Sequence, residues 1–221
     1  MSQINLPKEV RDCLENEMQI KMDHFFDKYN SFDDDFKSTA NNLLSNMLND
    51  STKEGSFDGD THYYEEGSYD ENEFMQAMFD CFNVFSKHKG LEIHQEIYAH
   101  PSRGGDDWFP IVIIASCVQD YSGQPLQQAL YRGCSLESFE NESYTDRQSW
   151  TFDFDTAKAF AFTHFSNISE QERVVIKAIV KNTDIVWIRA DESEVVLSLG
   201  FKPLSSKVEM DYDKYCESKN S

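Results

Sequence analysis

The chain has 221 residues, is 39% hydrophobic and 14% aromatic, and carries 40 acidic against 20 basic side chains for a formal net charge of −20. It is long enough to bury a core without disulfides or a structural metal, and too aromatic for a disordered acidic tail. So large a negative charge argues against nonspecific binding to nucleic-acid phosphates and against docking on anionic lipid, although it leaves room for a local basic cleft.

The first segment reads as helix. Val10, Leu14, Met18, Met22, Phe25 and Phe26 recur at helical spacing between Leu6 and about Asn30. Asp33 to Asp35 offer N-caps for a second helix, with Phe36, Ala40, Leu43, Leu44, Met47 and Leu48 on one stripe. From about Asp50 to Asn72 the sequence is rich in Ser, Gly, Asp, Glu and Tyr without periodicity, the composition of a mobile acidic loop. A third helix carries Phe74, Met75, Met78, Phe79, Phe82 and Phe85 and ends near Gly90. These Met and Phe stripes are core-forming patterns.

Beyond Gly90 the pattern changes. Ile111 to Ala115 follows Asp107-Trp108-Phe109-Pro110; the preceding Asp, the early Pro and Gly123 favour a helix, the β-branched content favours a strand, and a helix is expected. Short apolar segments follow at Ala129–Tyr131, Val174–Val180, Ile185–Ile188 and Val195–Leu199, each of strand length. Asp155 to Phe165 has helical spacing behind a capping Asp. Helices first and strands later give an α+β fold. The expected organisation is a helical part, 1–90, with the acidic loop at about 50–72, and a core, 91–221, within one compact domain.

The five cysteines are scattered and odd in number, and no Cys-x-x-Cys pair occurs, so a reduced, cytoplasmic protein is expected, without a disulfide framework or zinc knuckle. The six histidines show no ligand spacing, and no metal site is expected. The N-terminal residues lack the basic and apolar regions of a secretory signal, and no apolar run approaches the ~18 residues of a membrane span. Gly-rich phosphate loops and Gly-x-Ser-x-Gly are absent.

Three short features carry the chemistry. Leu130-Tyr131-Arg132-Gly133 puts an arginine at the end of an apolar strand, where its planar fork suits a pyrophosphate and Gly133 permits close approach of a ligand. Ser149-Trp150-Thr151 is a hydroxyl-bearing strand that runs into the Asp155–Phe165 helix. Asp191-Glu192-Ser193-Glu194-Val195-Val196-Leu197 spaces two carboxylates by two residues, on one face if the segment is a strand. Paired carboxylates repel. They make sense where positive charge develops, as in glycosyl transfer.

In this order, the three features resemble the mono-ADP-ribosyltransferases of the Arg-Ser-Glu class, which include bacterial toxins, bacteriophage enzymes and vertebrate ecto-enzymes. The resemblance covers roughly residues 125–205. Gln148 stands where an aromatic is common in that class, and Trp150 where the residue is usually small. The resemblance implies a two-sheet, mostly antiparallel β core behind N-terminal helices. It implies NAD as co-substrate, with no metal. Arg132 would grip the phosphates, and Gly133 would bond the carboxamide through its backbone. Ser149 would hold Glu194, Glu194 would stabilise the oxocarbenium-like transition state, and Glu192 would position the acceptor. Trp187 to Asp191 would form the turn that meets it. A Glu-x-Glu motif favours protein arginine as acceptor, ahead of an RNA or DNA base. The biological setting would be a toxin, an effector or a phage host-takeover enzyme, with a cognate inhibitor or antitoxin as a further partner and no membrane partner. An alternative of another class is a non-catalytic acidic binder or inhibitor that presents carboxylates to a basic partner.

Overall fold

The computed structural model describes residues 5–53, 57, 67–103, 108–164, 169–190 and 192–219. The chain divides into two compact units, Met1–Ile113 and Ile114–Ser221. The division falls later than Gly90, because a helix and an extended segment after that residue belong to the first unit. The architecture is α+β.

The first unit is helical. The single long helix expected between Leu6 and Asn30 is two, α1 (Lys8–Asp12) and α2 (Met22–Asn30). A π-helical turn, Cys13–Glu17, follows α1. It closes through Ile20 N donating to Leu14 O at 2.9 Å, around Gln19 at φ 56°. That left-handed position is one glycine usually fills at a helix end. α3 (Asp34–Ser51) is capped as expected, with the Asp33 carboxylate accepting from Phe36 N at 2.8 Å. α4 (Tyr69–Lys87) starts on a reciprocal Ser68–Glu71 capping box. Residues 50–51 therefore end α3 and residues 69–72 begin α4; 54–56 and 58–66, the centre of the expected mobile loop, lie outside the described residues.

Phe74 is fully buried at the centre of this unit, with ring centroids of Phe109 at 5.0 Å, Phe32 at 5.3 Å and Phe25 at 5.8 Å. Gly90, at φ 57°, starts α5 (Leu91–Tyr98) rather than merely ending α4. Ile111 to Ala115 is not a helix. Ile111 O accepts from Lys21 N at 2.8 Å, Ile113 N donates to Gln19 O at 3.1 Å, and Val112 bridges Ile20. The break after the π-helical turn supplies this run with backbone partners, and its β-branched side chains suit the extended form.

The second unit holds β1 (Gln127–Ser135), α6 (Leu136–Glu140), β2 (Ser149–Thr151), α7 (Phe154–Phe162), β3 (Arg173–Lys181), β4 (Ile185–Arg189), β5 (Glu194–Leu197), β6 (Ser205–Met210) and α8 (Tyr212–Lys219). Among the described residues the six strands form a single sheet, ordered β4-β5-β2-β1-β3-β6, where two sheets were expected. Every pairing is antiparallel. The joint between β1 and β2 is narrow, a single pair, Tyr131 opposite Thr151. By contrast β1 pairs with β3 from Gln127–Lys181 to Ser135–Arg173.

One face of the sheet buries Leu130, Cys134, Trp150, Ile176, Val195 and Leu197 in a common core. The other carries Tyr131, Gly133 and Val175 toward α7. A Cβ on Gly133 would stand 2.5 Å from Ala161 N and 2.7 Å from Ala157 O. Gly133 is thus required by the close approach of a helix. Arg173 fixes the far end of that helix, donating to Ala161 O at 2.5 Å and Phe160 O at 3.0 Å. Both are helix-end carbonyls that lack partners within the helix. No helix among the described residues is long and apolar enough to cross a membrane.

Candidate functional site

β1, β2 and β5 are neighbours in the sheet, so the three sequence motifs sit on three adjacent strands. Side chains alternate along a strand. Register then sorts the residues: Ser149 lies opposite Val196, Thr151 opposite Glu194, and Arg189 opposite Glu194 on its other side. Ser149, Thr151, Glu194, Arg189 and Trp187 share one face. Arg132 does not. Its Cβ leaves β1 on the face of Leu130 and Cys134.

Arg132 still meets the second motif. Continuing the β1–β2 register past Tyr131–Thr151 would bring Gly133 opposite Ser149, but the ladder stops. The Arg132 guanidinium donates to the Ser149 carbonyl oxygen instead. A long cationic side chain thus replaces a ladder bond where the sheet splits. The expected convergence is partial: Arg132 is joined to Ser149 through the backbone, while Ser149 and Glu194 share a face two residues out of register.

The expected bond between Ser149 and Glu194 is not made. The Ser149 hydroxyl has no hydrogen bond to a described residue, and Glu194 is held by Arg189, Nη1 to Oε2 at 2.8 Å. The same Nη1 donates to Glu192 Oε2 at 3.0 Å, and Nη2 to Glu192 Oε1 at 2.9 Å. Arg189 therefore resolves the repulsion of the two carboxylates. Burial opposes its charge, but the flanking Glu194 and Glu192 carboxylates outweigh that and raise its pKa. Glu192 is not on the strand. It lies in the turn before β5, and that turn, through Ser193 at φ 53°, aims both carboxylates at Arg189.

Thr151 secures the turn. Its Oγ1 donates to Ser193 O at 2.8 Å and accepts from Asp153 N at 3.0 Å. Asp153 in turn caps α7 by accepting from Asp155 N. One hydroxyl thus links β2, the Glu192–Ser193 turn and the start of α7. Trp187 to Arg189 is strand rather than turn, with Trp187 opposite Val196. The Arg189 guanidinium carbon is 5.4 Å from the Trp187 ring centroid.

The two departures from the family pattern are structural. Trp150 points into the opposite core, edge-on to Phe201 at 5.5 Å, with its indole N–H on Arg147 O at 3.1 Å. The buried Gln148 side chain accepts from Ile114 N at 3.0 Å and donates to Ile114 O at 2.9 Å and Leu197 O at 2.8 Å. An aromatic there could not make these bonds.

In the sequence Arg189 stands out only as part of the expected Trp187–Asp191 turn, and Thr151 only as a member of its motif. The available signal was a lone arginine closing an apolar strand three residues before Glu192. Among the described residues, no cluster of His, Cys, Asp and Glu could hold a metal. Comparison with family models, curated proteins and solved structures finds no match.

Proposed function

We propose that this protein is an NAD-dependent mono-ADP-ribosyltransferase that cleaves the nicotinamide–ribose bond and transfers ADP-ribose to a macromolecular acceptor, protein arginine ahead of a nucleic-acid base. The observation that carries the reading is the adjacency of the three motifs: Arg132 donates to the backbone of Ser149 on β2, and β2 pairs directly with the strand that begins at Glu194.

In this reading, the Arg132 guanidinium, which reaches the gap between β1 and β2 from the face opposite Glu194, exchanges the Ser149 carbonyl for the pyrophosphate of an NAD that lies across that gap. Glu194, buried and preoriented by Arg189, presents negative charge to the ribose as the nicotinamide bond breaks. Its fixed position removes the cost of reorganising solvent at that moment. Glu192, exposed beside it, receives the acceptor and takes up its proton. Gly133 serves helix packing, so its suggested bond to the carboxamide has to come from the backbone edge left unpaired by β2.

The deciding experiment is incubation of the purified protein with NAD labelled in the adenylate part and a cell lysate. Label should enter protein and be lost when an arginine-blocking reagent is applied first. Label in RNA or DNA would move the acceptor to a base. No release of nicotinamide under any condition would leave the acidic-binder alternative.

A further inference from the structure

The two partners of Arg189 differ in depth. In its pair with Glu194 the side chains are 6% and 9% exposed, whereas Glu192 is 59% exposed. Breaking a buried pair strands an uncompensated charge, while an exposed pair contributes little and exchanges with competing ions. One guanidinium thus has a permanent partner and an exchangeable one. The exchangeable contact is a two-toothed fork on both oxygens of Glu192, a geometry that a planar guanidinium supplies and an ammonium does not. Trp187 walls the same place, and aromatic faces favour planar cations.

From these contacts we infer that Arg189 is a specificity-determining residue: it occupies the acceptor seat on Glu192, and an acceptor guanidinium enters by replacing it there while Arg189 stays on Glu194. This rests on the ADP-ribosyltransferase reading. Exchange of one guanidinium for another returns the same fork and costs little. A primary amine cannot return it and is turned away. In the transfer, the ribose C1′–N bond breaks and its electron pair leaves with nicotinamide. The acceptor nitrogen's lone pair forms the new C1′–N bond, and the proton that nitrogen sheds passes to Glu192 and on to water.

The test uses the full chain, NAD and two small acceptors, agmatine and putrescine, which share a four-carbon diamine skeleton with and without the guanidinium. Nicotinamide release and acceptor modification are measured together, so the transfer-to-hydrolysis ratio cancels any general change in NAD cleavage. The wild type should modify agmatine and leave putrescine untouched. Arg189→Lys keeps a cation for Glu194 but loses the fork. It should lower the KM for agmatine about two- to fivefold, the scale of an exposed ion pair, and raise the transfer-to-hydrolysis ratio. An unchanged or higher KM in the variant overturns the inference, as does equal use of putrescine by the wild type. If Arg189→Lys does not fold, Glu192→Gln decides: discrimination between the two acceptors should collapse, and its persistence overturns the inference. Absence of any NAD cleavage by the wild type would instead remove the ADP-ribosyltransferase reading itself.

Discussion

The unit Met1–Ile113 fills its interior with aromatic and sulfur-bearing side chains, and Ser51 is its one buried polar residue among those described. The unit Ile114–Ser221 buries Gln148, Thr151, Arg173, Asn182, Arg189 and Glu194 in and around its sheet. Burying a polar group costs free energy unless it is fully hydrogen-bonded, and burying a charge costs more. The first unit avoids that cost. The second meets it with bonds that each fix a specific piece of backbone or a specific carboxylate. The contrast separates a region held by side-chain packing from one held by buried polar side chains that bond particular backbone groups or carboxylates.

The largest effect should come from the packed region. Phe74→Ala removes the hub of the aromatic cluster and should cost about 3–5 kcal/mol of stability, read from urea denaturation. A cost near zero would mean that the rings of Phe25, Phe32 and Phe109 repack without it, and that this interior is not a specified core.

In the polar region, loss should appear in rate, with a stability cost beside it, because Glu194→Gln leaves the buried Arg189 only its exposed partner Glu192. Glu194→Gln keeps the volume and removes the charge that the proposed reaction sets against the ribose. NAD hydrolysis and ADP-ribose transfer should fall together, about a hundredfold to a thousandfold, or roughly 2.7–4 kcal/mol in the barrier. Glu192→Gln should depress transfer to arginine far more than hydrolysis, since water needs no carboxylate partner. The reverse pattern would exchange the two roles. Small, equal effects would make the pair a structural ion cluster around Arg189.

Legibility in the sequence followed the same division. The stripes of α3 and α4 and the Asp33 cap were readable, because periodicity and capping are local. The break at Gln19 was not, since the apolar spacing runs straight through it and only pairing with Ile111–Ile113 shows why the helix ends. β6 opens on Ser205, Ser206 and Lys207 at a sheet edge and has only Val208 and Met210 as apolar positions, too short an alternation to stand out. At the site, the strand positions of Arg132, Ser149 and Glu194 were legible as motif. Their facing was not. It depends on the β2–β5 register, which seats Thr151 rather than Ser149 against Glu194, and on a turn that brings Glu192 back to Arg189.

The smallest effect concerns pH in the helical unit. His100 stacks on Trp108, with centroids 4.4 Å apart, and its Nδ1 accepts from Ser102 N at 3.2 Å. Burial pushes its pKa below the ordinary 6.5, and Asp80 opposes only in part. The unfolded chain therefore takes up this proton more readily. Stability from His100 is present above about pH 6.5 and lost as pH falls through the folded value. Stability of the wild type should decline between pH 7 and 5 more than that of His100→Gln. Parallel curves would show that the stack tolerates the charged ring.

Gln148 has a consequence of a different kind. Its carboxamide does the work of a peptide group that belongs to no strand: one oxygen accepts, one nitrogen donates twice, and residues 114 and 197 are stitched to the start of β2 by a side chain. A peptide surrogate is only as durable as its amide. Hydrolysis to glutamate would replace the nitrogen with a second acceptor, set two carbonyls against it and bury a charge without a counter-ion. Chemical ageing at this one position would therefore unpick the sheet beside the candidate site while leaving every residue that bears the proposed chemistry intact.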